Sequence, residues 1–263
     1  MSHCRITRPV EFRNVTRAHV IAWCDDLKKR GLSATTIRRK LSALSALFAY
    51  MTERNAVLIN PVDGVQRPKE GAHEGHTPAL GDGQARRLLE APDPETLKGR
   101  RDRALLSVFL FHGLRCGELA RLKVEDLHER GGITYLRVHG KGSKIRYVPG
   151  HFHSLEAVRL YLEAAGHREN RKSPLFQSTR GESPLNTRQI YNLVRGYAAG
   201  IGIDAGAARP HALRATMATN ALDHGADIAK VQEVLGHASI STTRLYDRRT
   251  TRPEDSPVFK VKF

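Results

Sequence analysis

Cysteine is scarce in this 263-residue chain: only Cys4, Cys24 and Cys116 are present. An odd count without a CxxC pair supplies neither a disulfide framework nor a zinc site, and fits a reducing cytoplasm. Acidic residues are also in short supply. Asp and Glu number 27 against 43 Lys and Arg, a formal net charge of +16. Long apolar runs are missing: nothing approaches the roughly 20 residues of a membrane helix. Charges at Arg5, Arg8 and Arg13 interrupt any signal-peptide core. No carboxylates cluster at a spacing suited to Mg²⁺, so the sequence implies neither a metal nor another cofactor. These shortages argue against a disulfide scaffold, a membrane span and a carboxylate-metal enzyme. The excess of cations calls for a polyanion, and nucleic acid fits better than a membrane surface.

What is present is the composition of a globular protein, 40% hydrophobic and 27% charged. The basic charge is shared, with a net +7 in residues 1–70 and +9 in the remainder, as expected of two units clamping a duplex. Thr16 can cap a helix through Leu27, with Val20, Ile21, Trp23 and Leu27 available for burial. Ile37, Leu41, Leu44, Phe48 and Met51 then form one apolar stripe on a helix from about Ser33 to Arg54. Its other side carries Thr35, Thr36, Arg38, Arg39 and Ser42, either a DNA-contacting face or a solvated one. NPVDGVQRPK (Asn60 to Lys69) breaks the periodicity, and residues 71–80 read as a linker. Beyond it, helical patterns cover about Gly83–Glu90, Arg101–His112, 153–165, 186–199, 210–224 and 227–235. ITYLRVHG and KIRYVP alternate like the strands of a hairpin closed by KGS. The fold class is mainly α with a small β-sheet (α+β).

Four segments carry chemistry: GLRCGELARL with Arg115, HGKGSKIRYVP with Lys141, HALR with His211 and Arg214, and LGHASISTTRLY with His237 and Tyr246. Each alone is weak, because surface arginines, hairpin lysines and HxxR pairs are common. In this order they resemble the tyrosine recombinase (phage integrase) family, whose Arg, Lys, His-x-x-Arg, His/Trp, Tyr set falls on Arg115, Lys141, His211, Arg214, His237 and Tyr246. The GLRxxEL opening, the GKGxK hairpin, the LGHxxxxTTxxY close and NPxxxVxxPK also match. Spacings of 23 from Arg214 to His237 and nine from His237 to Tyr246 resemble the Xer-type branch.

The resemblance implies a helical, SAM-like core-DNA-binding domain over 1–70, a linker over 71–80, and a catalytic domain with a C-terminal tail over 81–263. The first domain reads as shortened at its N-terminus, without a first helix that the family often uses between protomers. The implied activity is site-specific cleavage and rejoining of double-stranded DNA through a 3′-phosphotyrosyl intermediate. A homo-tetramer would act on two DNA sites, alone or with a paralogous recombinase, in the cytoplasm and without membrane or metal. A type IB topoisomerase and a DNA-binding accessory protein whose catalysis has lapsed are the alternatives.

The chemistry accounts for the residue types. A phosphodiester repels nucleophiles, and its pentavalent transition state gathers further charge; two guanidinium forks, Arg115 and Arg214, can offset it. Tyr246, with an ordinary phenol pKa of about 10, must lose its proton as it attacks. His211 is the expected acceptor, Lys141 the expected acid for the departing 5′-oxygen, and His237 a hydrogen-bond donor to the phosphate. Glu118, one helical turn after Arg115, is expected to orient it. In the tail, Phe259, Val261 and Phe263 alternate with Lys260 and Lys262, so residues 258–263 are expected to add to a sheet edge.

Phosphate contacts release counterions, so duplex affinity should fall roughly 10³-fold or more between 50 and 200 mM salt. Binding isotherms across that range that superimpose would mean the +16 charge is incidental.

Overall fold

Two hydroxyls start the first helices. Thr16 Oγ1 accepts the His19 N–H at 3.4 Å and Ser33 Oγ the Thr36 N–H at 3.3 Å, satisfying donors that a helix start leaves open. α1 (Arg17–Lys29) and α2 (Ala34–Glu53) follow. The computed structural model describes residues 9–69, 78–140, 142, 144–179, 181–204 and 209–247. Lys141 and the expected strand at 258–263 lie outside the described residues. The chain divides into two units, Met1–Gly75 and His76–Phe263.

In the first unit, Ile37, Leu41 and Phe48 of α2 are buried against Val20, Cys24 and Leu27 of α1, with Val57 and Val62 closing the core. Phe12 meets Phe48 edge-on at 6.1 Å. Ile21, expected in this core, is 46% exposed. The helical period puts 20, 24 and 27 on one stripe and turns 21 away from it, so Cys24 takes the buried place.

The second unit contains α3 (Asp82–Glu90), α4 (Leu97–His112), the short α5 (Cys116–Leu119), β1 (Leu127–Arg130), β2 (Ile133–His139) and β3 (Ile145–Pro149). It continues with α6 (Phe152–Ala165), α7 (Thr187–Gly200), α8 (Pro210–Asp223), α9 (Ile228–Leu235) and α10 (Ile240–Arg244). α4 is the spine: every residue from Ala104 to Leu110 is buried, and α3, α6 and α8 pack around it. A helix apolar on all sides belongs in a core. It begins a turn before the expected Arg101, because Thr96 Oγ1 accepts the Gly99 N–H at 2.9 Å and caps a first turn that has no apolar rhythm.

The three strands form an antiparallel sheet in the order β1-β2-β3. β1 has no clear alternation in its LHER sequence and was not among the expected strands. Leu136 pairs with Val148 and Val138 with Arg146. Leu136, Val138 and Val148 are buried, so strand alternation puts Arg146 on the inward face with them.

A second polar group sits in the first half of α4. Asp102, fully buried, accepts hydrogen bonds from Lys98 Nζ (2.8 Å), Arg101 Nε (2.9 Å) and Nη2 (2.7 Å), and Tyr197 Oη (2.9 Å). Arg101 also donates to Gln177 O at 3.0 Å. Asp102→Ala would leave the buried Arg101 without its counter-ion, so urea titration should show a loss of about 3–5 kcal/mol. An unchanged midpoint and slope would show that the pair is not buried as described.

Candidate active site

α8 begins with Pro210 as its first residue, and the spacing of three puts His211 and Arg214 on neighbouring turns of one face. Arg214 is 1% exposed. Its Nη1 donates to Gly113 O and its Nη2 to Leu235 O, both at 2.6 Å. Those acceptors lie where α4 and α9 end, and each helix closes on a left-handed glycine, Gly113 (φ 59°) and Gly236 (φ 64°). Carbonyls at a helix C-terminus carry partial negative charge, which suits a cation. Burial lowers the Arg214 pKa to about 10, with Arg115 adding to the effect, so the group stays protonated at neutral pH.

Arg115 caps α5 and is more open, its side chain 46% exposed. Its Nη1 donates to Glu118 Oε1 at 2.9 Å and Nη2 to Gly236 O at 3.2 Å. Both arginines therefore hold the carbonyl end of α9. Glu118 is buried and accepts a further bond, at 2.8 Å, from the Arg115 backbone N–H. Its remaining capacity goes to Arg146, whose Nη1 and Nη2 reach Oε1 and Oε2 at 3.0 and 2.8 Å. Burial alone would raise the Glu118 pKa; hydrogen bonds from Arg146 and Arg115 overcome it and hold the carboxyl at about 2.

The turn after α9 brings in His237, whose Nδ1 lies 2.9 Å from Thr243 Oγ1. Ser239 caps α10, and that short helix delivers Tyr246 so that the His237 and Tyr246 rings stack at 6.0 Å between centroids. Tyr246 is 7% exposed, among Ala215, Ala218, Leu222, Val231 and Leu235. Its carbonyl accepts from Thr219 Oγ1 at 3.3 Å. Burial raises its phenol pKa, and Arg214 and Arg115 pull it back. Burial and the same two arginines push His237 down to about 4. His211 is lowered by the same causes. At neutral pH the site thus has cationic arginines, one carboxylate and two neutral imidazoles.

The structure brings Arg115, Glu118, Arg214, His237 and Tyr246 together, with His211 within the field of both arginines. The motif set does not contain Arg146. A charged residue on the buried parity of KIRYVP, in step with Val148, was the available signal. Among the described residues no group of three or more His, Cys, Asp or Glu could hold a metal ion. No helix there is long and apolar enough to cross a membrane.

In the first unit, Thr35, Thr36, Arg39 and Ser42 are exposed on α2 and Arg38 is half-buried. Arg38 Nη1 donates to Pro68 O at 3.4 Å, the Thr36 hydroxyl lies 3.0 Å from that of Ser33, and Ser42 Oγ accepts from Arg67 Nη1 at 2.7 Å. Arg67 therefore joins this face from the segment that follows the helices.

The family model for the phage integrase family matches residues 79–252, and that for the phage integrase N-terminal SAM-like domain matches residues 3–55. A tyrosine recombinase XerC of Thermodesulfovibrio yellowstonii is 37% identical over 223 residues, covering 82% of this chain and 72% of the relative. A tyrosine recombinase XerD of Vibrio cholerae is 32% identical over 235 residues, with coverages of 86% and 74%. The crystal structure of XerH site-specific recombinase bound to palindromic difH substrate, a post-cleavage complex, aligns with a TM-score of 0.74 at 25% identity. That alignment covers 89% of this chain and 70% of XerH. The Tn1549 transposon integrase in complex with circular intermediate DNA shares the fold, with a TM-score of 0.70 at 20% identity and coverages of 97% and 87%.

Glu118 gives the fold an acid limit. Its pKa lies near 2 in the folded protein against an ordinary 4.5, so its contribution is fully present above pH 4.5 and is lost as pH falls through 2. At 1.36 kcal/mol per unit this amounts to about 3 kcal/mol. Glu118→Gln should be less stable than the parent by that order at pH 7 in urea titrations, and the gap should close between pH 4.5 and 2. A gap that does not vary with pH would contradict the assignment.

Proposed function

The chain belongs to the phage integrase family, and on that premise we propose that Tyr246 is the nucleophile with which it cuts DNA. It is a tyrosine recombinase, an enzyme that cleaves and rejoins DNA at specific sites. Relatives that are themselves tyrosine recombinases do not favour a topoisomerase or a lapsed accessory protein.

One observation carries the site reading: Arg214 and Arg115 are both fastened to the carbonyl end of α9, beside the stacked His237 and Tyr246. Each fork has five N–H groups, of which the bonds among the described residues use only some, and a phosphate's nonbridging oxygens are natural acceptors for the others. The Tyr246 oxygen bonds to phosphorus while the bond from phosphorus to the 5′-oxygen breaks. The phenolic proton passes to His211, neutral because its pKa is lowered. Lys141 supplies a proton to the departing 5′-oxygen, and His237, its Nδ1 engaged by Thr243, offers Nε2 to the phosphate. The products are a 3′-phosphotyrosyl link and a free 5′-hydroxyl. Because the ester energy is retained, a 5′-hydroxyl from another strand can reverse the step without ATP.

The proposal extends to assembly. Exchange between two duplexes cuts four strands and each chain has one Tyr246, so four copies act together on two sites, with or without a paralogous recombinase. The first unit, 1–70, grips the duplex through Thr35, Thr36, Arg38, Arg39 and Ser42, and residues 81–263 perform the chemistry, with 71–80 between them. The work takes place in the cytoplasm, on chromosomal or mobile-element DNA.

On a nicked duplex that traps the covalent complex, Tyr246→Phe should give no protein–DNA band while binding the duplex within about threefold of the parent. Arg115→Ala and Arg214→Ala should slow trapping by about 10²- to 10³-fold. A covalent band persisting in Tyr246→Phe would falsify the assignment.

A further inference from the structure

Arg214 and Arg115 are held in different ways. Arg214 is encased, so packing fixes it. Arg115 is nearly half exposed, and among the described residues Glu118 and the turn at 235–236 restrain its guanidinium. Both of those restraints are themselves gripped by one residue outside the motif set. Arg146, its side chain 16% exposed, donates to both oxygens of Glu118 and, through Nε at 2.9 Å, to Val234 O. The turn leaves room for it: a Cβ on Gly236 would stand 3.3 Å from Arg146 Cδ.

We propose that Arg146 is a positioning residue for catalysis, fixing Glu118 and the end of α9 so that Arg115 is aimed at the scissile phosphate. The Glu118 carboxylate then accepts four N–H bonds, two from Arg146, one from the Arg115 side chain and one from the Arg115 backbone. With every direction taken, it cannot rotate. Remove Arg146 and half of those bonds go, along with the tie between β3 and α9. Arg115 keeps its charge and its partner but loses its fixed bearing. Arg146 also stands one residue into β3, so a single guanidinium joins β3, α5 and α9.

The inference rests on the proposed role of Arg115, and the test separates the two. Replacing one nonbridging oxygen of the scissile phosphate by methyl makes that centre neutral, so a guanidinium aimed at it has less charge to offset. Covalent trapping is measured on nicked duplexes carrying either the natural phosphodiester or the methylphosphonate in both diastereomers. Arg146→Ala should trap the phosphodiester roughly 10- to 100-fold more slowly than the parent, the scale expected for a misplaced catalytic group. On the methylphosphonate it should come within about threefold of the parent, because the missing function is charge placement. Arg146→Lys, which keeps the charge without the planar fork, should fall between. It carries the same comparison if the alanine variant does not fold.

Equal losses on both substrates, or no loss on the phosphodiester, would overturn the proposal. Arg115→Ala is measured alongside. If that variant is rescued by the methylphosphonate and Arg146→Ala is not, only the role of Arg146 falls. If Arg115→Ala is not rescued, the reading of Arg115 falls and the inference with it.

Discussion

A fully buried guanidinium must find acceptors, and among the described residues Arg214 finds them in the exposed ends of two helices. Gly113 O and Leu235 O, each 2.6 Å away, are carbonyls without a continuing helix to donate to them. An unpaired buried cation would cost several kcal/mol, so α4, α8 and α9 can meet only where both carbonyls face Arg214. The left-handed glycines that follow α4 and α9 make this feasible. A Cβ on Gly113 would lie 2.8 Å from Leu235 Cδ2, so the Leu235 side chain would have to shift, and at φ 59° the backbone itself disfavours a side chain. The fold and the site are thus anchored at one point.

That anchoring sets the charge state of everything nearby. Burial, and then the charges of Arg214 and Arg115, lower His237 and His211, so both imidazoles are neutral at physiological pH. Tyr246 feels two opposed influences, burial raising its pKa and the arginines lowering it. Glu118 is bonded to two of these cations, Arg115 and Arg146, and does not also neutralise Arg214. The cluster of Arg115, Arg146, Arg214 and Glu118 is therefore positive overall.

α4 connects this chemistry to the stability of the second unit. Its first half carries the Asp102 ion network, its middle is buried on all sides, and the carbonyl of Gly113 just past its end meets Arg214. The sheet contributes through one strand face. Val148 and Arg146 of β3 point the same way, the first into the apolar core and the second to Glu118, so the strand that packs the core also holds the carboxylate that Arg115 bonds.

The sequence by itself determined the local elements and the chemical inventory. Apolar periodicity marked α2, α6, α8 and α9, and small polar caps at Thr16 and Ser33 set helix starts, because both act over a few residues. The order and spacing of Arg115, the His211–Arg214 pair, His237 and Tyr246 already resembled one family. Only the tertiary structure decided which side chains meet. Arg214 reaches a carbonyl 101 positions away, Arg115 one 121 away and Arg146 a carboxylate 28 away, and no periodicity encodes such separations. The same limit hid β1, which is a strand because β2 lies beside it. It also hid the contribution of Arg67 to the face of α2. The displaced pKa values followed only once burial and neighbouring charges were known, since titration reports surroundings that the order of residues does not contain.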